Sequence, residues 1–290
     1  MMSATSKHIG RRDFLRAGLA GAAVAGLGLR SAPAAMEGSA TKPKKIPVGL
    51  QLYSVRQQAA KDLPGVLEAV SKMGYQGVEF AGYYGFDAKA LKKLLDDNGL
   101  ACCGTHTGLN TVMGDALKGT IEFNQTIGNK YLVVPGMPAE RLATKEACIE
   151  TAKMFNEMAE KAKPEGMLVG YHAHGGDFEK VNGQTRWDCF FSNTRSDVIM
   201  QLDVGNCLGG GGDPYAILKK FADQAVTIHL KEHGGPKEAV VGEGEVNWEK
   251  IFALVNRKAT DWYIVEHERG GPDPLGDVNR CMKNLRKMGI

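Results

Sequence analysis

Short apolar runs alternate along the chain with longer segments in which apolar residues recur every three or four positions. From Val48 onward there are eight such runs: VGLQLYS, QGVEFAG, LACCGTH, KYLVVPG, MLVGYHAH, VIMQLDVGN, AVTIHLKE and DWYIVEHE. The segments between them are amphipathic, for example LPGVLEAVSKMG, DAKALKKLLDDNG and KEACIETAKMFNEMAEKAK. Short apolar runs predict buried strands, and the amphipathic segments predict helices. Glycines at the ends of these segments, as at Gly74 and Gly99, suit helix C-termini.

Eight strand–helix units in succession predict a closed (β/α)8 barrel, an α/β fold that typically takes about 250 residues. We assign the barrel to residues 47–290. An open, doubly wound sheet is the alternative, but no Gly-x-Gly-x-x-Gly follows an early strand. Two smaller domains would need a linker within residues 48–290, and no stretch there has the composition of one.

Alternation along each predicted strand separates an apolar face from a polar one. The apolar face packs against the helices, so the polar members are expected to point into the barrel near the carboxyl ends of the strands. These residues are Gln51, Glu79, His106, His172, His174, Gln201, Asp203, His229, Lys231 and Glu266. Burying so many titratable groups is costly without a chemical task, although a structural network of hydrogen bonds is the alternative.

Four of these residues come from consecutive predicted strands, the fifth to the eighth: His172, Asp203, His229 and Glu266. A mixture of imidazole and carboxylate suits a divalent transition metal better than Ca²⁺. We predict one divalent metal ion, in the first place Mn²⁺, with Co²⁺, Zn²⁺, Fe²⁺ or Mg²⁺ as alternatives. His172 and His174 share one face of their strand, so one would bind the ion and the other would act beside it or on the substrate.

The first 34 residues have the features of an export signal. Arg11 and Arg12 precede Phe14 and Leu15, a small-residue apolar stretch follows, and an Ala-Pro-Ala sequence suits cleavage. This order is typical of a twin-arginine signal, so we expect the twin-arginine export machinery as a partner and a periplasmic or otherwise exported protein. The apolar stretch is too short for a good membrane span and has no cysteine at its end, so no stable membrane anchor is expected.

The N-terminal segment also dominates the formal charge of +3. Residues 1–34 carry five basic residues and one acidic residue, a net of +4, which leaves −1 for the rest of the chain. A basic surface for nucleic acid is therefore not expected. Residues 35–46 have the composition of a disordered linker. The six cysteines show no Cys-x-x-Cys spacing, which is typical of core residues rather than of a disulfide framework.

Six motifs occur in the order seen in xylose-isomerase-like TIM barrels: YHAHGGDFE, QLDVGN, GGDPYAILKKF, IHLKE, VGEGEVNW and WYIVEHE. More narrowly, residues 46–290 resemble the sugar phosphate isomerase/epimerase group, which includes inosose dehydratases and hydroxypyruvate isomerases. The resemblance implies a divalent metal at the ends of strands 5 to 8, on His172, Asp203, His229 and Glu266. Many epimerases of the family carry a glutamate in place of His172, so this chain departs from their pair of glutamate acid/base groups.

The resemblance further implies a metal-dependent isomerase or epimerase that acts on a sugar or keto-sugar through an enediolate. Glu266, or one of the histidines at the site, would remove the proton, and Lys231 would stabilise the charge that develops. We therefore take as catalytic candidates Glu266, His174, Lys231 and His106. Substrate contacts are expected from Gln51, Glu79, Gln201 and Glu243, the last of them in a glycine-rich loop over the site.

Other outcomes and classes remain open at this point. Expulsion of a β-leaving group from the same intermediate would make the protein a lyase or dehydratase that acts on a 3-keto-glycoside or an inosose. A non-catalytic sugar-binding protein is an alternative from another class. A DNA-repair endonuclease also occurs on this barrel, but it would need a basic groove. Homo-oligomerisation is left open by the sequence.

Overall fold

A closed barrel of eight parallel strands organises the computed structural model, which describes residues 45–269 and 271–290. Consecutive barrel strands are neighbours, and the last pairs with the first. The strands are β1 (Val48–Gln51), β2 (Gly77–Phe80), β3 (Ala101–His106), β4 (Tyr131–Val134), β5 (Leu168–His172), β6 (Ile199–Asp203), β7 (Thr227–Leu230) and β8 (Trp262–Val265). One strand lies in each of the eight apolar runs, which confirms the predicted (β/α)8 barrel.

The helices surround the barrel in the connections between strands. Within the described residues they are α1 (Arg56–Lys61), α2 (Leu63–Met73), α3 (Ala88–Asp97), α4 (Ala116–Thr126), α5 (Lys145–Ala162), α6 (Arg186–Phe191), α7 (Val204–Gly209), α8 (Pro214–Lys220), α9 (Trp248–Leu254) and α10 (Pro274–Lys287). Among the helices of this part of the chain, none combines the length and the apolar character needed to cross a bilayer.

Local sequence signals explain where α2 begins and ends. Asp62 accepts a hydrogen bond from the backbone N–H of Gly65 at 3.0 Å, and Pro64 occupies the first turn, where no backbone donor is needed. Gly74 terminates the helix with φ of 92°, a left-handed conformation that glycine adopts without steric cost. Asp213 caps α8 in the same way, ahead of Pro214.

Apolar side chains fill the space between the barrel and the helices. Aromatic rings from β5, α5 and α6 pack edge to face, as between Phe155 and Phe190, whose centroids lie 5.1 Å apart. Tyr131, Val133 and Ile199 form a separate small cluster of buried residues. Ile199 lies on the same face of β6 as Gln201 and Asp203, so this cluster is the apolar base on which the polar residues of the barrel interior rest.

Gly170 permits the close approach of β5 to β6. A Cβ atom at this position would lie 2.5 Å from the carbonyl oxygen of Ile199 and 2.4 Å from its Cβ, so it would push apart the strands that carry His172 and Gln201. We expect Gly170→Ala to lower the free energy of unfolding by about 1–3 kcal/mol. Gly119→Ala is the matched control, since Gly119 is exposed within α4 with open space around it.

Urea unfolding of both variants checks this expectation. Gly119→Ala should raise the free energy of unfolding by about 0.5–1 kcal/mol, because alanine has the higher helix propensity. A Gly170→Ala protein as stable as the parent would mean that β5 and β6 can separate without loss.

All six cysteines are free and buried. Burial raises the pKa of the Cys102 thiol to about 12 and places that of Cys103 well above its ordinary range. Thiolate formation at these two residues is therefore suppressed in the folded barrel. The segment assigned to an export signal lies outside the described residues, as does most of the assigned linker, and both assignments stay predictions. Ile46, the last residue of that linker, packs in the core.

Candidate metal centre

The strand ends bring the four predicted metal ligands together. His172 and Asp203 are the last residues of β5 and β6, His229 lies in β7, and Glu266 directly follows β8. The register pairs Asp203 with His229 on neighbouring strands. All four side chains are buried, and each offers a ligand atom within 4.8 Å of the ligand atoms of the others. A single ion would be within reach of the whole group.

The contacts inside this group are closest around His229. Its Nδ1 lies 2.6 Å from Oε2 of Glu266 and 3.9 Å from Oδ2 of Asp203. Nε2 of His172 lies 4.0 Å from the same Glu266 oxygen. One ring nitrogen of each histidine therefore faces Glu266, and that of His229 also faces Asp203.

Asp203 provides the clearest indication that this group of residues fits a cation. Its Oδ1 accepts a hydrogen bond from the backbone N–H of Asn206 at 2.7 Å, whereas its Oδ2 is buried and has no hydrogen-bond partner. Burial raises the pKa of Asp203, and the nearby Glu266 carboxylate adds to this, against the opposing effect of Lys231. An unpartnered carboxylate oxygen of this kind is costly. A divalent cation would satisfy it, so the residues present fit such an ion.

A layer of hydrogen-bonded side chains lies beneath the four ligands. Glu79 Oε2 accepts hydrogen bonds from Nε2 of Gln51 at 2.7 Å and from Nε2 of His229 at 2.7 Å. Glu79 Oε1 accepts from Nε2 of Gln201 at 2.8 Å. The side chains of Gln51, Glu79 and Gln201 are all fully buried. Gln51, Glu79 and Gln201, from which substrate contacts are expected, therefore bond to one another and lie outside the lining of the cavity, and their contacts with substrate stay a prediction.

Two further histidine contacts complete the layer. Oε1 of Gln201 lies 2.9 Å from Nε2 of His106 and 3.0 Å from Nδ1 of His172. Nε2 of His106 is also 3.2 Å from the Glu79 carboxylate. Burial alone would lower the pKa of His106, but Glu79 raises it. Burial would likewise lower the pKa of His229, but Glu79 and Glu266 outweigh this effect and raise the pKa to about 10.

A cavity of about 420 Å³ opens above the ligands. Its lining consists of Tyr53, Ala81, Gly82, His106, Pro135, His172, His174, Glu266 and Glu268. Two predicted ligands, His172 and Glu266, therefore face the same space as three predicted catalytic residues, Glu266 itself, His174 and His106. A larger groove of about 650 Å³ lies elsewhere, between residues such as Lys118 and Lys161, and no candidate residue lines it.

His174 and Lys231 differ in how free they are to react. His174 lines the cavity and is partly exposed to it, and partial burial of the ring, with Lys231 nearby, lowers its pKa against the opposing effect of Glu266. Nζ of Lys231 donates to Oε1 of Glu266 at 3.4 Å and pairs closely with Glu268. His174 is thus available as a neutral base, whereas Lys231 is held between two carboxylates.

Glu243, from which a substrate contact is expected, does not line this cavity, and its role in substrate binding stays a prediction. Its carboxylate pairs closely with Arg280 of α10 and accepts a hydrogen bond from Nδ2 of Asn284 at 3.2 Å. The glycine-rich loop is anchored from inside by Glu232, which accepts from the backbone of Gly242 at 2.7 Å. The loop therefore packs towards α10, and among the described residues none of its members lines the cavity.

Tyr53 and Glu268 line the cavity although neither was among the candidates. Glu268 lies two residues after Glu266, so the alternation that selects Glu266 could have been extended by one step. Tyr53 follows β1 in a short 3₁₀ turn, where strand alternation no longer applies. Its ring is 42% exposed, which gives the mouth of the cavity an aromatic surface.

Comparisons with known proteins agree with this architecture. Residues 67–288 match the protein family described as xylose isomerase-like TIM barrel. Inosose dehydratase from Serratia proteamaculans is 24% identical over 248 residues, which cover 70% of this chain and 82% of that protein. Inosose dehydratase from Clostridium perfringens is 24% identical over 265 residues, 76% of this chain and 89% of that protein. The solved structure of a sugar phosphate isomerase/epimerase from Parabacteroides distasonis has 27% identity and a TM-score of 0.73, and the match covers 84% of this chain and 98% of that one.

Proposed function

Because the chain belongs to the xylose isomerase-like TIM barrel family, we propose that it is a divalent-metal-dependent enzyme that removes the proton next to the carbonyl group of a sugar or keto-sugar. One observation carries the proposal. Four buried side chains with metal-ligand chemistry meet at one point, and two of them, His172 and Glu266, line a cavity that also exposes His174. A cavity of about 420 Å³ has the size of a small-molecule site.

Different side chains of the protein have different roles in the proposed reaction. A divalent cation, when bound, would polarise the carbonyl oxygen of the substrate and so acidify the neighbouring C–H bond. His174 accepts the proton, since its ring is exposed to the cavity and its lowered pKa keeps it neutral near pH 7. Lys231 holds the Glu266 carboxylate in place through Oε1, the oxygen that does not contact His229.

Dehydration is the outcome that we propose first. The C–H bond next to the carbonyl breaks, and its electron pair forms an enolate. The enolate re-forms the carbonyl while the C–O bond at the β carbon breaks, and the departing hydroxyl takes up a proton and leaves as water. His174, protonated in the first step, can return that proton. Support comes from the relatives named inosose dehydratase, which align with most of the chain.

Isomerisation or epimerisation is the second candidate. The same enolate, protonated at another atom or from the other face, would give an isomer instead of losing water. The 27% identity to a protein named sugar phosphate isomerase/epimerase favours this outcome. A second base would be needed for epimerisation, and strand β5 provides His172, a metal-ligand candidate, rather than a carboxylate.

Incubation with keto-sugars in D₂O tests the proposal. We expect protein supplied with Mn²⁺ to catalyse deuterium uptake next to the carbonyl of an inosose or a 3-keto-glycoside, with release of water, as followed by NMR. Protein treated with a chelator should catalyse neither. Metal-loaded protein that binds these sugars without exchange or water loss would point instead to a sugar-binding function.

A further inference from the structure

We propose that Glu79 and Gln201 form a positioning layer that fixes which ring nitrogen of each histidine ligand faces the metal. The inference rests on the metal site of the proposed function and does not depend on the reaction. Neither residue touches the cavity, and both are fully buried beneath it. Their role is therefore to orient other side chains.

His229 has a different partner at each of its ring nitrogens. Nε2 lies 2.7 Å from Oε2 of Glu79, and Nδ1 faces Glu266 and Asp203. An ionised carboxylate in this buried position only accepts hydrogen bonds, so Nε2 must carry the proton. Nδ1 also carries a proton while it faces Glu266 alone, and a cation bound by Glu266 and Asp203 would displace that proton, so the lone pair offered to a metal is the one on Nδ1, on the side of the other ligands.

His172 is fixed in the complementary way. Its Nδ1 lies 3.0 Å from Oε1 of Gln201, so Nδ1 carries the proton and Nε2 is left facing Glu266. The orientation of the Gln201 amide is itself determined, because its Nε2 donates to Glu79 at 2.8 Å and to Oγ1 of Thr227 at 2.9 Å. Glu79 thus controls His229 directly and His172 through Gln201.

A carboxylate at position 79 is required by the number of donors around it. Oε2 accepts hydrogen bonds from Gln51 and His229 and lies 3.2 Å from Nε2 of His106, and Oε1 accepts from the amide of Gln201. A glutamine would replace one of these oxygens by a donor, so at least one N–H group would lose its acceptor. The backbone leaves room for this side chain at Gly104, where a Cβ would lie 2.3 Å from Oε1 of Glu79.

The experiment compares two buried glutamates. Glu232 also accepts from four N–H groups, those of His233, Gly242, Val246 and Trp248, but none of these belongs to the metal group. Mn²⁺ affinity is measured on metal-free protein by electron paramagnetic resonance of the unbound ion. We expect Glu79→Gln to weaken Mn²⁺ binding by about 10–100-fold. Glu232→Gln should leave it unchanged within about twofold, although both variants lose a buried acceptor.

An exchange of the two side chains gives a rescue test. In the double variant Glu79→Gln/Gln201→Glu, the amide at 79 can donate to the carboxylate at 201, and each surrounding N–H group again faces an oxygen. We expect this variant to regain at least about tenfold of the lost affinity. If circular dichroism shows that Glu79→Gln does not fold, Gln201→Met serves instead, with the same expected loss.

The outcomes separate this inference from the proposed reaction. Glu79→Gln protein that binds Mn²⁺ as tightly as the parent would overturn the positioning role. A parent protein that binds Mn²⁺ but exchanges no proton in any keto-sugar would count against the proposed reaction alone. A purely structural role for Glu79 would lower stability in both glutamate variants without separating their metal affinities.

Discussion

Replacement of Asp203 by asparagine should abolish tight binding of the divalent metal while the barrel stays folded. The asparagine oxygen can still accept the hydrogen bond from the backbone of Asn206 that begins α7. The unpartnered Oδ2, however, becomes an amide group that cannot bind a cation. We therefore expect an affinity loss of more than about 100-fold, beyond what removal of a supporting hydrogen bond produces.

Equilibrium dialysis with Mn²⁺, followed by elemental analysis, measures this loss. Asp213→Asn is the matched control, since Asp213 also caps a helix, α8, but is exposed and outside the metal group. It should retain one ion per chain. Full occupancy in Asp203→Asn protein would show that the ion binds elsewhere or needs only the other three side chains.

Replacement of His174 by asparagine should separate proton transfer from metal binding. His174 lines the cavity but is not one of the four residues grouped as potential metal ligands. Loss of a positioned general base typically costs about 10²–10⁴-fold in rate. We therefore expect a fall of that size in deuterium exchange and in water release, with Mn²⁺ affinity close to that of the parent protein.

His233→Asn is the control for this variant, because His233 is a half-buried histidine that follows the next-but-one strand and does not line the cavity. Its exchange rate should equal that of the parent. If His174→Asn protein exchanges at the parental rate, Glu266 becomes the base, and its own replacement by glutamine would then have to remove both exchange and metal.

The side chains that converge in the barrel could be predicted from alternation alone. The polar faces of four consecutive runs carry His172, Asp203, His229 and Glu266. Because the strands are parallel, residues at their carboxyl ends lie together at one end of the barrel. Alternation predicts the face of the strand on which a side chain lies, but it does not predict how deep in the barrel that side chain lies. Alternation therefore groups Glu79 and Gln201 with substrate-binding residues, whereas both are fully buried, bond to each other and lie outside the lining of the cavity.

Loops were less predictable for a different physical reason. The position of Glu243 depends on a long-range ion pair with Arg280 and on the anchoring of its loop by Glu232. Neither contact leaves a periodic signal in the sequence, because the partners are separated by irregular backbone. The position of Tyr53 at the cavity was not predictable for the same reason, since the direction of its side chain is determined by the 3₁₀ turn that follows β1.

Chemical labelling of the buried, unpaired thiols of the barrel would report unfolding of the protein. An alkylating reagent should modify almost nothing in the folded state, since every cysteine is buried, and should label all six once the chain unfolds. Cys207 belongs to α7, the helix that Asp203 begins, and Cys102 and Cys103 belong to β3. A ligand that binds only the folded state suppresses opening. The mass of the labelled protein, followed over time with and without Mn²⁺, would therefore measure occupancy of the metal centre without any substrate.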